Sequence, residues 1–138
     1  METMAQMESS QLDMARKIEK KGISEIPAES RPAYHLSSPV GWMNDPNGFS
    51  TYQNEYHLFF QYHPFSNIWG PMHWGHCKSR DFIRWKYLPL AIAPDENYDE
   101  GGCYSGSAIE VEGEHVLLYT GVTDRYLKDG THDYCQVQ

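Results

Sequence analysis

The run Trp42-Met43-Asn44-Asp45-Pro46-Asn47-Gly48-Phe49 decides how the rest of this 138-residue chain is read. Proline restricts the residue before it to extended conformations and fixes its own φ. Asn47-Gly48 then supplies a pair that turns readily at positive φ. The Asp45 carboxylate therefore sits on a preset backbone, in what reads as a rigid turn leading into a strand. Alone, Asn-Asp-Pro-Asn-Gly is simply a good turn sequence. Its surroundings give it weight.

Outward from this run the pattern is β. Residues 49–52 and 56–62 read as strands around Gln53-Asn54-Glu55, and residues 107–111 and 115–120 as strands around Glu112-Gly113-Glu114. Both are hairpin signals. The two hairpins align with each other, Gly48 with Gly106 and His57 with His115, each pair 58 positions apart. A weak repeat of that length suits an all-β propeller, whose blades typically recur every ~40–50 residues. Residues 73–79 and 85–87 read as the outer strands of a first blade, with Ser79-Arg80-Asp81 as the turn. Roughly one and a half blades fit, whereas closure takes about four or more. Tyr134-Cys135-Gln136-Val137-Gln138 alternates like a strand with no closing partner, an edge that natural domains avoid. The expectation is a truncated chain.

Before the β region, residues 1–8 read as a frayed tail. Ser10-Gln11-Leu12-Asp13 has capping-box spacing, and a helix to Lys21 is predicted from Leu12, Ala15 and Ile18. Lys20 and Lys21 suit the negative helix end, and Gly22 is a good residue just past it. Pro27, Pro32 and Pro39 mark an extended connector. The expected organisation is residues 1–30 as tail and helix and residues 31–138 as the β domain.

Composition excludes some partners. A net charge of -8 argues against nucleic acid and against an anionic membrane surface. The N-terminus has neither the basic nor the apolar region of a signal peptide, and no stretch approaches transmembrane length. Three widely spaced cysteines, Cys77, Cys103 and Cys135, fit a reducing cytoplasm better than a disulfide framework. All four tryptophans, Trp42, Trp69, Trp74 and Trp85, fall in the central part of the chain. Aromatic faces stack on the apolar faces of sugar rings, and they also fill cores and strands.

Other clusters read as structural. His73 and His76 point to opposite faces of a strand, and with Cys77 they lack the convergent partners that tetrahedral zinc requires, so no metal is expected. Asp95-Glu96, Asp99 and Glu100 read as a solvated acidic loop, because the spacing is not that of an EF-hand. Arg16, Lys17, Lys20 and Lys21 read as a solvated helix face with no assigned partner.

Four further stretches give the Asp45 run its meaning. They are Pro32-Ala33-Tyr34-His35-Leu36, Leu58-Phe59-Phe60-Gln61-Tyr62-His63-Pro64, Trp69-Gly70-Pro71-Met72-His73-Trp74-Gly75-His76 and Tyr104-Ser105-Gly106-Ser107-Ala108. In this order and with these gaps, the chain from about Arg31 onward resembles the N-terminal part of glycoside hydrolase family 32, the invertases and sucrose-6-phosphate hydrolases. The resemblance implies a five-bladed β-propeller, of which this chain carries the N-terminal helix, blade one and the start of blade two. It implies hydrolysis of terminal β-D-fructofuranosyl linkages, in sucrose or its 6-phosphate, without a cofactor, the sugar partner being sucrose, its 6-phosphate or a fructan. It implies Asp45 as the nucleophile of a retaining double displacement. Trp42 and Asn44 match residues lining the fructosyl pocket, Gln61 a glutamine that hydrogen-bonds fructose hydroxyls, and Trp69 an aromatic at the rim. Tyr104 and Ser105 stand where the family has Phe-Ser, and Tyr104 adds a hydroxyl to the wall.

The chain departs from the family in one respect. Neither Arg-Asp-Pro, which carries the stabilising Asp, nor Glu-Cys, which carries the acid/base Glu, occurs in it; Arg80-Asp81-Phe82 is a different turn. General acid–base help is worth about 10²–10⁴-fold, so Asp45 without it is expected to catalyse little. The alternative reading is a non-catalytic fructoside-binding module, or one half of a split enzyme.

Overall fold

The computed structural model describes residues 10–138; the tail expected at residues 1–8 lies outside the described residues. Helix α1 (Gln11–Glu25) is followed by a short 3₁₀ turn (Ala28–Ser30) and seven strands. Strands β1 (Trp42–Tyr52), β2 (Glu55–His63), β3 (His73–Ser79) and β4 (Lys86–Ile92) form one antiparallel sheet in chain order. Strands β5 (Gly102–Val111), β6 (Glu114–Tyr126) and β7 (His132–Val137) form a second. The sheets are blade one and three strands of blade two of a β-propeller.

Two-residue turns make the first hairpin of each blade. Gln53 and Asn54 have φ of 51° and 60°, and Glu112 and Gly113 have 53° and 86°. Two successive positive φ values match the right-handed twist of the flanking strands. The register corrects the expected repeat. The pair Tyr52↔Glu55 corresponds to Val111↔Glu114, 59 positions on, so His57 matches Val116 and not His115. Near the strand starts Met43↔Tyr62 corresponds to Cys103↔Gly121, and the offset along the inner strand becomes 60. β7 also differs from expectation: it is paired along its length with β6.

Phe59 and Phe60 show why blade one has two buried faces. Successive strand residues point to opposite sides. Phe59 and Trp74 pack toward blade two with Cys103, and Phe60, Tyr62, Cys77 and Leu90 pack on the other side with Ala15 of α1. Gly75 leaves room for this, since a Cβ there would overlap the Phe60 ring.

Helix α1 is longer than predicted. Ser10 caps it, accepting from Asp13 N at 3.2 Å, but it runs through Gly22 to Glu25. Gly22 is not a terminator. A Cβ at this position would overlap the Val40 side chain, so glycine is there for close packing. The buried helix face carries Ala15 and Glu19, whereas Ile18 is exposed.

The helix docks on the edge strand β4. Between Trp74↔Ile92 and His76↔Leu88, β4 carries extra residues, and Leu90 sits in that bulge without a β3 partner. Its backbone is satisfied by the helix instead: Leu90 N donates to Glu19 Oε2 at 3.1 Å, and Arg16 Nε donates to Leu90 O at 2.9 Å. Arg16 is therefore a structural donor, although, like Lys17, Lys20 and Lys21, it is exposed as the solvated helix face predicts. The acidic loop is exposed at Asp95, Glu96 and Glu100, as expected, but its carboxylates hold partners and Asp99 departs from it. Asp95 accepts from Gln11 N at 2.5 Å and Leu12 N at 3.1 Å, where a carboxylate complements the helix dipole. Glu100 pairs with Arg125 at 2.7 Å, and Asp99 is fully buried.

Burial pushes the Glu19 carboxyl above its ordinary range, against the pull of the Leu90 amide and Arg16. The native state then holds a proton that the unfolded state has released, and stability at this site falls as pH rises above about 4.5. Glu19→Ala removes the acceptor for Leu90 N–H and is expected to cost about 1–3 kcal/mol at neutral pH in urea unfolding. Glu19→Gln keeps an acceptor without a charge to bury. It is expected to unfold at a urea concentration no lower than the wild type at pH 7; an equal loss in both variants would contradict this account.

Candidate functional site

The motif around Asp45 is not a turn. It lies inside β1, and two one-residue bulges reshape that strand. Three β1 steps from Met43 to Pro46 face two β2 steps from Tyr62 to Phe60, and three from Asn47 to Ser50 face two from Phe59 to His57. Bulges bend and twist a strand and re-aim its side chains. Pro46 fits here because β1 is an edge strand of its sheet and the bulge spares a ladder donor. Gly48, at φ 53°, absorbs the second bulge. A Cβ on it would stand 2.8 Å from the Phe59 ring and 3.2 Å from both Ala108 Cβ and the Trp74 ring.

Blade two repeats the device. Between Tyr104↔Thr120 and Gly106↔Tyr119, β5 gains one residue, and that residue is Ser105. With the offset of 60 along the inner strands, Asp45 corresponds to Ser105 and Asn44 to Tyr104. Gly48 faces Ala108 at the same offset, so Asp45 and Ser105 stand at one level on neighbouring inner strands. Both are exposed.

The aromatic residues gather at this end. Trp42 is 36% exposed, and its indole N–H donates to Asn44 Oδ1 at 3.1 Å, holding the amide next to Asp45. Trp69 projects from the loop at residues 64–72, 54% exposed, its ring centroid 6.5 Å from that of Tyr104. Met72 fixes the loop to blade two, its carbonyl accepting from Cys103 N at 2.8 Å. Burial, then the nearby Tyr134 and Asp124, raises the Tyr104 hydroxyl above its ordinary value.

Gln61 is placed differently from the wall residues. It is 2% exposed, beneath the inner strands. In the orientation that satisfies its amide, the oxygen accepts from Asn47 Nδ2 at 2.8 Å and Trp74 Nε1 at 3.2 Å, and the nitrogen donates to Cys103 O at 3.2 Å. Trp74 Nε1 also donates to Tyr104 O at 3.1 Å, and Asn47 Nδ2 to Asp45 O at 3.4 Å. The amide expected to meet fructose hydroxyls is thus engaged inside the protein, where it ties the Asp45 strand to the Tyr104 strand.

Sequence reading missed Asn47, Trp74 and Asp99. Asn47 looked like a turn residue and Trp74 like one aromatic among many. Asp99 looked like surface charge, yet its Oδ2 accepts from Tyr119 Oη at 2.7 Å and its Oδ1 from Glu96 N at 2.8 Å. Asp99 O accepts from Gly102 N at 2.7 Å, which sets the start of β5 and so the position of Tyr104. Among the described residues, no group of histidines, cysteines and carboxylates is arranged to hold a metal ion.

Gly48→Ala is expected to destabilise the chain by about 1–3 kcal/mol, since an L side chain would be strained at this φ and would press on Phe59, Ala108 and Trp74. Gly113→Ala, with no atom within 4 Å of the added methyl, meets only the backbone penalty and should cost less. Chemical unfolding of both variants checks the order.

Known proteins resemble this chain in sequence and fold. Residues 35–138 match the family model described as the glycosyl hydrolases family 32 N-terminal domain. A sucrose-6-phosphate hydrolase of Zymomonas mobilis is 50% identical over 102 residues, covering 74% of this chain and 20% of that protein. A sucrose-6-phosphate hydrolase of Escherichia coli is 44% identical over 119 residues, covering 86% and 24%. Among solved structures, a Bombyx mori family 32 β-fructofuranosidase in complex with sucrose superposes with a TM-score of 0.74 at 41% identity, covering 89% of this chain and 25% of the other. A Lactobacillus gasseri sucrose-6-phosphate hydrolase superposes with a TM-score of 0.72 at 36% identity, covering 99% and 28%. The chain thus spans about a fifth to a quarter of the length of these curated relatives. Its bulged inner strand, its two blades and the match over residues 35–138 carry one conclusion: the chain belongs to glycosyl hydrolase family 32, as part of its N-terminal domain.

Proposed function

We propose that this chain supplies the nucleophile and one wall of the fructosyl pocket of a β-fructofuranosidase acting on sucrose or sucrose 6-phosphate. The observation that carries the reading is the level pairing of Asp45 and Ser105 on two bulged inner strands, beside Trp42, Trp69 and Tyr104. Relatives named as sucrose-6-phosphate hydrolases, and a neighbour whose mutant is in complex with sucrose, support the substrate class.

Asp45 attacks the anomeric carbon of the fructosyl unit, and a covalent ester forms as the bond to the leaving oxygen breaks. Trp42 and Trp69 hold the sugar by ring stacking, Asn44 and Ser105 offer hydrogen bonds to its hydroxyls, and Tyr104 adds one more donor. Gln61 acts as a positioning residue beneath them. Protonation of the leaving oxygen needs a second carboxylic acid about 5–5.5 Å from the first. Neither Arg-Asp-Pro nor Glu-Cys occurs among these 138 residues, so that acid and the stabilising carboxylate are assigned to other residues. A cytoplasmic location is part of the proposal, on the ground that Cys77, Cys103 and Cys135 are free thiols.

The purified 138-residue chain is expected to bind fructose and sucrose weakly, with changes in tryptophan fluorescence that Trp69→Ala reduces, and to release no glucose. Sucrose turnover by the chain alone, lost in Asp45→Asn, would overturn the assignment of the acid to other residues. Nuclear magnetic resonance shifts on sugar addition that avoid Asn44, Asp45, Trp69 and Tyr104 would overturn the pocket itself.

A further inference from the structure

Three histidines meet where the two blades touch. His57 lies on β2, His76 on β3 and His115 on β6 of the neighbouring blade. The His57 ring centroid is 5.1 Å from that of His76 and 5.0 Å from that of His115. Phe59 stacks on His76 at 4.1 Å, and Tyr52 of β1 stacks on His115 at 4.6 Å.

The hydrogen bonds fix the protonation of the cluster. His57 Nδ1 and His76 Nε2 are 2.9 Å apart. One nitrogen carries the hydrogen and the other accepts it, so this bond cannot exist with both rings protonated. Ser50 Oγ donates its single hydrogen to Gly48 O at 3.1 Å. It therefore accepts from His115 Nε2, 2.9 Å away. Through Ser50 the cluster reaches Gly48 and the second bulge of β1, three positions beyond Asp45.

The charged groups facing the cluster are Lys78 of β3 and Glu55 of β2, which are ion-paired, and Glu110 of β5. Lys78 repels a proton arriving on His57 or His76, and Glu110 attracts one to His115. Burial is the largest influence on all three rings and lowers each, His76 to about 3.

We propose that His57, His76 and His115 form a pH-sensitive latch that binds the Asp45 strand to blade two while the rings are neutral and releases this seam when they are protonated. A proton on the accepting nitrogen turns the His57–His76 bond into two opposed donors. A proton on His115 adds a cation against His57 and Phe59 in a partly buried seam. Repulsion among the protonated rings then opens the seam, and the second bulge of β1, three positions beyond Asp45, loses its hold on blade two. The latch is independent of the sugar reading, since it rests on the seam alone.

The sign follows from the shifts. An unfolded histidine titrates near 6.5, so between 6.5 and the lowered native values the unfolded chain binds more protons and stability falls with falling pH. The test is urea unfolding of the 138-residue chain at pH 7.5, 6.5, 5.5 and 5.0, with a histidine ring titration by nuclear magnetic resonance. For each histidine held neutral, the unfolding constant is expected to rise about tenfold per pH unit below 6.5. His115→Gln, which keeps a donor for Ser50, and the double variant His57→Asn/His76→Gln are each expected to flatten this slope. His73, buried elsewhere with a value lowered to about 4, adds its own slope, which both variants leave in place. Ring signals of the wild type titrating near 6.5 would overturn the latch, as would variants that keep the wild-type slope. Where a variant fails to fold, the wild-type ring titration decides alone.

Discussion

Trp74 is fully buried, and its indole N–H lies within reach of two acceptors on different blades, the Gln61 amide oxygen at 3.2 Å and the Tyr104 carbonyl at 3.1 Å. A buried donor left unpaired is costly, so the two inner strands are held at a distance that serves this one group. The placement of the site follows from it. Gln61 turns its oxygen toward Trp74 and Asn47 and its nitrogen toward Cys103. Asn47 then reaches the Asp45 carbonyl, and Cys103 leads into Tyr104 and Ser105. The Asp45 end of the chain rests on a buried polar network.

The bulges are the second constraint. A regular β1 would alternate its residues strictly between two faces, and Asp45 would share its direction with Met43 and Asn47. One extra residue before Pro46 and another before Ser50 break that alternation at the two points where the strand must serve the rim and the seam in turn. Blade two bears the same irregularity at Ser105, so the exposed inner-strand side chains are aimed by a repeated backbone device rather than by loops. Sites carried on strands are held more tightly than sites on flexible connections.

Much of this was legible in the residues. The alternating aromatic and β-branched runs marked the strands, and β3 falls on the predicted residues His73–Ser79. The tight turns were readable because Asn54 and Gly113 tolerate positive φ. The motifs around Asp45, Trp69 and Tyr104 pointed to one end of the fold. The bulges were not legible, because a one-residue register shift changes no composition and leaves the hydrophobic pattern intact. Asn-Asp-Pro-Asn-Gly satisfies the chemistry of a turn and that of a bulge equally well. Asp99 was misread because a buried carboxylate and a solvated one look alike in sequence; its partner Tyr119 lies 20 positions away. Gly22 was misread for a similar reason. Glycine ends helices and also admits close neighbours, and Val40 decides between the two.

The clasp between Asp95 and the first amides of α1 joins groups 84 and 83 positions apart. A helix of 15 residues is marginal in water without tertiary contacts. Its acceptors at Asp95 and its docking strand at Leu90 are made last among the parts it touches. On a ribosome the helix leaves the tunnel before blade one and waits: β4 must form before the helix finds its acceptors at Asp95 and its docking strand at Leu90. The order of synthesis and the order of consolidation therefore run in opposite directions here: the helix precedes blade one in the chain and settles on it afterwards.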